Sequence, residues 1–145
     1  MLAYFDTSAV VPLIIAEPTS ARCATLWDTA DLVATSSLTL VEVSAALALA
    51  QRVGRIDDVR RRAALESFHD RWNAMAYIFP SDEIIRHAAE LTAAQGLRGY
   101  DAIHCATALA LDTPDFVAVS GDRALLRAWA TLGIPTADTG LDRRE

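Results

Sequence analysis

A chain of 145 residues, 52% of them hydrophobic, is long enough to bury one sizeable core and too apolar to be disordered. Its net charge of −6 at pH 7 argues against a basic surface that grips nucleic acid indiscriminately, though not against local capture of a phosphate. All 13 basic residues are arginine, and the absence of lysine excludes a Walker-A phosphate loop, a Schiff-base enzyme, a lysine general base and a phospho-aspartate receiver domain.

Strand and helix patterns alternate along the chain. Leu2 to Phe5 is predicted as a buried strand, and Thr7 to Ala16 as a short helix ending before Glu17-Pro18. Thr19 or Ser20 is a candidate cap for a second helix running to about Ala30, and Leu32 to Thr35 is a short strand. Ser36 or Ser37 then caps a long helix from Leu38 to about Val53, closed by Gly54. Asp57-Asp58 starts an arginine-rich helix that continues to about Asn73, and Ala76 to Phe79 is a strand stopped by Pro80. Ser81 has the character of an N-cap, with Asp82 and Glu83 complementing the dipole of a helix that ends at Gly96. Tyr100 to Asp112 is a helix, Phe116 to Val119 a strand, and Asp122 to Leu132 a helix ending at Gly133. Ile134 to Ala137 is predicted as a last edge strand, where Pro135 is tolerated, and the tail from Leu141 to Glu145 is expected to fray. Such alternation predicts an α/β fold with a largely parallel sheet, built as one domain over residues 1–145.

Cys23 and Cys105 are far apart and in no C-x-x-C pattern, which reads as two reduced core residues of a cytoplasmic protein. The apolar stretch Val10 to Ala16 has no positive charge before it and is interrupted by Pro12, so it is not read as a signal peptide. No uninterrupted apolar run reaches about 18 residues, and no membrane span is expected.

Four acidic residues stand at separate punctuation points. Asp6 follows the first strand, Asp122 follows the strand at Phe116 through Ser120-Gly121, and Asp101 opens a helix after Gly99-Tyr100. In open α/β sheets ligands bind beyond the carboxyl ends of the strands, which is where Asp6 and Asp122 project. Glu42 is placed on a helical stripe with Leu38, Ala45, Ala46, Leu49 and Val53, a stripe read as facing inward. Its helix offers no basic partner three or four residues away, so a buried Glu42 must meet a partner from elsewhere; taken alone, an arginine salt bridge or simple exposure explains it equally well. A shared Mg²⁺ or Mn²⁺ is the simplest reason for all four, because hard cations take oxygen ligands and the acids have no cysteine or histidine pairs beside them. Phosphodiester cleavage through a metal-activated water is then the chemistry expected.

The segments Tyr4-Phe5-Asp6-Thr7-Ser8-Ala9, the embedded Glu42, Tyr100-Asp101-Ala102-Ile103-His104 and Ser120-Gly121-Asp122-Arg123-Ala124-Leu125 together resemble the PIN-domain ribonucleases, most closely the VapC-type toxins of bacterial toxin–antitoxin pairs. Each segment alone is weak; the ordered set spans nearly the whole chain. The resemblance implies a PIN-like three-layer α/β/α sandwich and an Mg²⁺- or Mn²⁺-dependent endoribonuclease acting as the toxin of a type II pair. It also implies a homodimer and a small VapB-type antitoxin. By position, Asp6, Glu42, Asp101 and Asp122 match the family's catalytic, metal-binding acids, Ser8 a polar residue near the metal, and Ser120 the usual Ser or Thr two places before the last acid.

Other residues carry two readings. Ser8 either holds Asp6 or a metal-bound water, or only caps the following helix; Ser120 either orients the site or merely shapes a turn. His104, one helical turn after Asp101, is an acid–base candidate or a partly buried structural residue. The basic cluster Arg52, Arg55, Arg60, Arg61 and Arg62 either meets RNA or an acidic antitoxin segment, or forms a solvated face paired with Asp57, Asp58 and Glu66. Trp27, Trp72 and Trp129 are read as core or dimer-surface residues, and the alanines at 45, 46, 48 and 50 as a close-packing face suited to a dimer seam. Two rival functions remain: a catalytically silent PIN-like binding module, and an aspartate-nucleophile phosphatase. The phosphatase chemistry wants a second aspartate where Ser8 stands, and a lysine.

Overall fold

A computed structural model describes residues 1–111 and 113–140. The strands are β1 (Leu2–Phe5), β2 (Leu32–Ser36), β3 (Ala76–Ile78), β4 (Phe116–Ser120) and β5 (Thr136–Asp138), all parallel, in the order β3-β2-β1-β4-β5. The helices are α1 (Thr7–Val10), α2 (Ser20–Thr29), α3 (Leu38–Arg52), α4 (Asp58–Ala74), α5 (Asp82–Gln95), α6 (Gly99–Leu111) and α7 (Arg123–Thr131).

The pleat of the two central strands divides the core in two. Ala3 and Phe5 point to one face, where they meet Ala9 and Val10 of α1, Val43 and Leu47 of α3, and Ala64 and Phe68 of α4. Tyr4, Phe116 and Ala118 point to the other, against Ile84 and Leu91 of α5, Ala102 and Cys105 of α6, and Leu125 and Trp129 of α7. The result is helices on both faces of a parallel sheet, the α/β/α sandwich that the resemblance implied. Cys23 and Cys105 are both free and buried, as read from their spacing. Of the tryptophans, Trp129 is fully buried against Tyr4, Trp27 packs edge-on to Phe5, and Trp72 stacks on Tyr77. Among the described residues, no helix is long and apolar enough to cross a membrane.

Several boundaries differ from expectation, each for a local reason. The helix expected to reach Ala16 stops at Val10 and tightens into a 3₁₀ turn over Val11–Leu13, around Pro12, which has no N–H to give. Thr19 and Ser37 occupy the N-cap positions of α2 and α3 without side-chain cap bonds. Ser20 instead accepts from the Glu17 amide (2.9 Å) and Ser36 from the Leu38 amide (3.2 Å). The edge strand forms at Thr136–Asp138 rather than from Ile134. Ser81 caps α5 as expected, accepting from the Ile84 amide at 3.3 Å, and Gly96 ends it with φ of 65°. The expectations for Asp112 and for the tail from Leu141 to Glu145 lie outside the described residues.

The inward stripe of α3 is not the one read from the sequence. Leu49 is 52% and Val53 62% exposed, while Thr39, Val43, Leu47 and Ala50 face the core. The helix is apolar on nearly every side, so its periodicity could not fix the buried face. Glu42 lies at the edge of that face, half-buried, where it can reach across the end of the sheet.

Candidate active site

Helices α1 to α4 serve the connections on one side of β1, and α5 to α7 serve those around β4, so the chain reverses its winding between β1 and β4. The carboxyl ends of these two neighbouring strands flank the crevice that such a reversal opens. Asp6 leaves β1 there and caps α1, its Oδ1 accepting from the Ala9 amide at 3.2 Å. Asp122 leaves β4 and caps α7, its Oδ1 accepting from the Leu125 amide at 2.9 Å. Both carboxylates are thus fixed by helix N-termini, whose dipoles favour the anion.

Asp6, Glu42, Asp101 and Asp122 all line one cleft of about 370 Å³, together with Thr7, Ser8 and His104. Glu17 is a fifth acid on its wall, one that sequence reasoning passed over as the end of a helix. A second hollow, of about 460 Å³, shares Glu42 and Asp101 and adds Arg98, Gly99, Tyr100 and Ile103.

Asp6 sits at the bottom, only 4% exposed. The Ser8 hydroxyl donates to its Oδ1 at 2.7 Å and the Ser120 hydroxyl to its Oδ2 at 3.0 Å. The two hydroxyls lie 3.2 Å apart, so both serines orient this carboxylate. Ser8 also receives the Gly121 amide (2.8 Å), and Ser120 the Asp122 amide (2.9 Å), which ties the turn after β4 to the turn after β1. A Cβ at Gly121 would lie 2.8 Å from Thr139 Oγ1, so any larger residue there would have to displace that side chain. Burial pushes the Asp6 carboxyl up to about 6, although the His104 charge and the bonds from Ser8, Ser120 and the Ala9 amide pull the other way.

Glu42 does meet partners from elsewhere, but neither is an arginine. His104 Nε2 lies 2.6 Å and Thr7 Oγ1 2.8 Å from its Oε1. Burial raises its carboxyl, yet the His104 bond and charge together with Thr7 outweigh that and hold it below its ordinary range. Asp101 is raised, first by burial and then by the charge of Asp122. Arg98 Nε approaches Asp101 at 3.6 Å but is 89% exposed, so it offsets little of this repulsion. Asp101 is thus the acid that feels its neighbours, Asp122 more than Glu42. Among the described residues, no three acidic, histidine or cysteine side chains stand close enough to close directly on one ion. The donor set nonetheless fits a hard divalent cation that keeps several of its waters, because every free donor is an oxygen and the cleft has room for them.

The chain matches the PIN domain model over residues 3–129. It belongs to the PIN-domain family. Ribonuclease VapC45 of Mycobacterium tuberculosis is 36% identical over 97% of this chain and 98% of its own. The crystal structure of PAE2754 from Pyrobaculum aerophilum superposes with a TM-score of 0.69 at 24% identity, over 94% of this chain and 89% of that one. A toxin–antitoxin complex from Klebsiella pneumoniae gives 0.60 at 22% identity, over 94% and 97%. These two structural likenesses establish the fold and nothing more; what a PIN domain does must be argued from its site.

The basic cluster is a solvated face in part: Asp58 pairs with Arg61 at 3.1 Å and Arg62 at 2.9 Å. Arg55 reaches Glu17 at 3.6 Å.

Asp122 has two separable duties. Asp122→Asn keeps the cap and removes the charge beside Asp101, so its denaturant midpoint should equal or exceed that of the wild type. Asp122→Ala loses the cap and should be less stable than the Asn variant by about 1 kcal/mol. Identical midpoints for the two would refute the capping role.

Proposed function

We propose that this chain is a divalent-metal-dependent endoribonuclease and the toxin of a type II toxin–antitoxin pair. The observation that carries the reading is the convergence of Asp6, Glu42, Asp101 and Asp122, from four distant chain positions, on one cleft at the β1/β4 crevice. The VapC relative, a ribonuclease by name and matched along nearly its whole length, supports RNA as substrate.

In this reading Asp6, Asp101 and Glu42 hold Mg²⁺ or Mn²⁺, and Asp122 completes the set. When bound, the cation supplies polarisation of the phosphate, a more acidic water and a counter-charge for the leaving oxygen. Ser8 and Ser120 keep both oxygens of Asp6 aimed, so the deepest ligand need not reorganise. The acidic cleft would repel bare RNA, so the charge of these carboxylates would have to be offset by a bound cation before a phosphate could approach. The neighbouring hollow at Tyr100 and Arg98 offers an aromatic face and a positive charge to a flanking nucleotide.

A VapB-type antitoxin is the proposed partner, in keeping with the fold shared with the Klebsiella complex. A homodimer is proposed as well, because α3 leaves Leu40, Val41, Leu49 and Val53 exposed.

Purified protein incubated with total RNA should cut it with Mg²⁺ or Mn²⁺ and stop when the cation is chelated. Undiminished cutting in chelator would overturn the metal dependence. Binding without turnover on any RNA pool would favour the silent module instead.

A further inference from the structure

Glu42 and His104 come from opposite sides of the sheet, and their contact is one place where the two helical layers meet over its carboxyl edge. Glu42 is on α3 and His104 on α6. The imidazole is 2% exposed and engaged at both nitrogens: Nδ1 is 2.7 Å from the Tyr4 hydroxyl, and Nε2 is 2.6 Å from Glu42 Oε1. Tyr4 itself is fully buried on β1, its ring packed edge-on against Trp129 at a centroid distance of 6.1 Å.

The direction of the bond to Glu42 follows from the donor available. An ionised carboxylate only accepts, so Nε2 carries a hydrogen and donates it to Glu42. The Tyr4 hydroxyl meets Nδ1, donating to the neutral ring or accepting from the protonated one, so the imidazole is held at both nitrogens in either state. Thr7 Oγ1 donates to the same Oε1, and among the described residues no hydrogen bond reaches Oε2. One oxygen of Glu42 is thus committed to the protein and the other is left for a ligand. A half-buried glutamate on an otherwise apolar helix would have three free torsions without this clamp.

We propose that His104, held in turn by Tyr4, is a positioning residue that presents Glu42 Oε2 to the divalent cation. The inference rests on the reading of Glu42 as a ligand in a ribonuclease site. It assigns His104 neither an acid–base role nor mere core filling. Partners that orient a ligand from behind are worth about 10- to 100-fold in metal affinity or activity.

The test compares His104→Leu, His104→Gln and Tyr4→Phe in the full chain by Mn²⁺ binding isotherm, by kcat and KM on one RNA, and by thermal melting. His104→Leu should weaken Mn²⁺ binding by about 10- to 100-fold and, at saturating Mn²⁺, lower kcat by a similar factor while leaving KM for RNA within about twofold. His104→Gln, whose amide N–H can reach Glu42, should recover most of both. Tyr4→Phe should fall between the wild type and His104→Leu. A folded His104→Leu with wild-type Mn²⁺ affinity and kcat overturns the proposal, as does a Gln variant no better than Leu. If His104→Leu does not fold, Tyr4→Phe decides, and unchanged Mn²⁺ affinity there overturns it. A wild type that neither binds Mn²⁺ nor cuts RNA sinks the ribonuclease reading, and this inference with it. A wild type that does both, matched by its variants, sinks this inference alone.

Discussion

Asp6→Asn is expected to abolish RNA cleavage and, in the same molecule, to make the metal-free protein harder to unfold. Loss of activity should be at least about 100-fold, since removing a ligand exceeds the loss from disturbing a ligand's support. The gain in stability comes from burial. The folded carboxyl holds its proton up to about pH 6, whereas an unfolded aspartate releases it near its ordinary 3.8. Between those values the native state binds more protons, so this group's contribution falls as pH rises through that window and stays low above it. The difference of about two pH units corresponds to roughly 3 kcal/mol at pH 7.5. Asparagine carries no charge, keeps an oxygen for the Ala9 amide and is itself a favourable N-cap. Urea unfolding from pH 4 to pH 8 should show the wild type losing stability relative to the variant across pH 4–6. Added Mn²⁺ should then raise the wild-type melting temperature more than the variant's, because only the wild type offers the deepest ligand. Parallel stability curves for the two proteins across that range would remove the basis of this account.

Glu42→Ala and Glu42→Gln should separate ligand loss from structural loss at a single position. Both should fail to cleave RNA, by about 100-fold or more, since neither leaves an anionic oxygen at the rim. Only the alanine variant strands the His104 Nε2–H, buried at 2% exposure with no other acceptor in contact among the described residues. An unsatisfied buried donor costs about 1–3 kcal/mol, which denaturant unfolding of the Ala variant should register. The glutamine side-chain oxygen can still accept from His104 and Thr7, so that variant should unfold close to the wild-type midpoint. An Ala variant as stable as the Gln variant would mean that the bond across the sheet edge holds nothing together.

Much of the fold was legible because it is written in short local signals. The β1 and β4 strands stand out as apolar runs, Ser81 with Asp82 and Glu83 marks a helix start, and Gly54, Gly96 and Gly133 mark ends, each with positive φ. The strand order β3-β2-β1-β4-β5 is not legible, since no residue near Asp6 says that β4 rather than β3 will lie beside it. In the site, Asp6 and Asp122 were placed by position relative to strands, and the structure brings them to the same cleft as Glu42 and Asp101. The reason given for Glu42 was only half right. It does find a partner from a distant element, but the face it was assigned to turns Leu49 and Val53 toward solvent. Glu17 and Thr7 were missed because nothing in their local pattern distinguishes a cleft-lining residue from a loop or a helix start. The spacing of His104 one turn beyond Asp101 was the single clue to its place on the same wall.

The central position of β1 has a temporal consequence. The strand that begins the chain pairs on one side with β4, residues 116–120, which are made more than 100 residues later. At about 5–20 residues per second, a nascent chain spends several seconds with that edge of β1 unzipped. During this time Asp6 lacks Ser120, and the crevice lacks one of its two walls. A chain that stops short of β4 therefore has one of the two serine donors of Asp6 missing and lacks Asp122 in the cleft altogether.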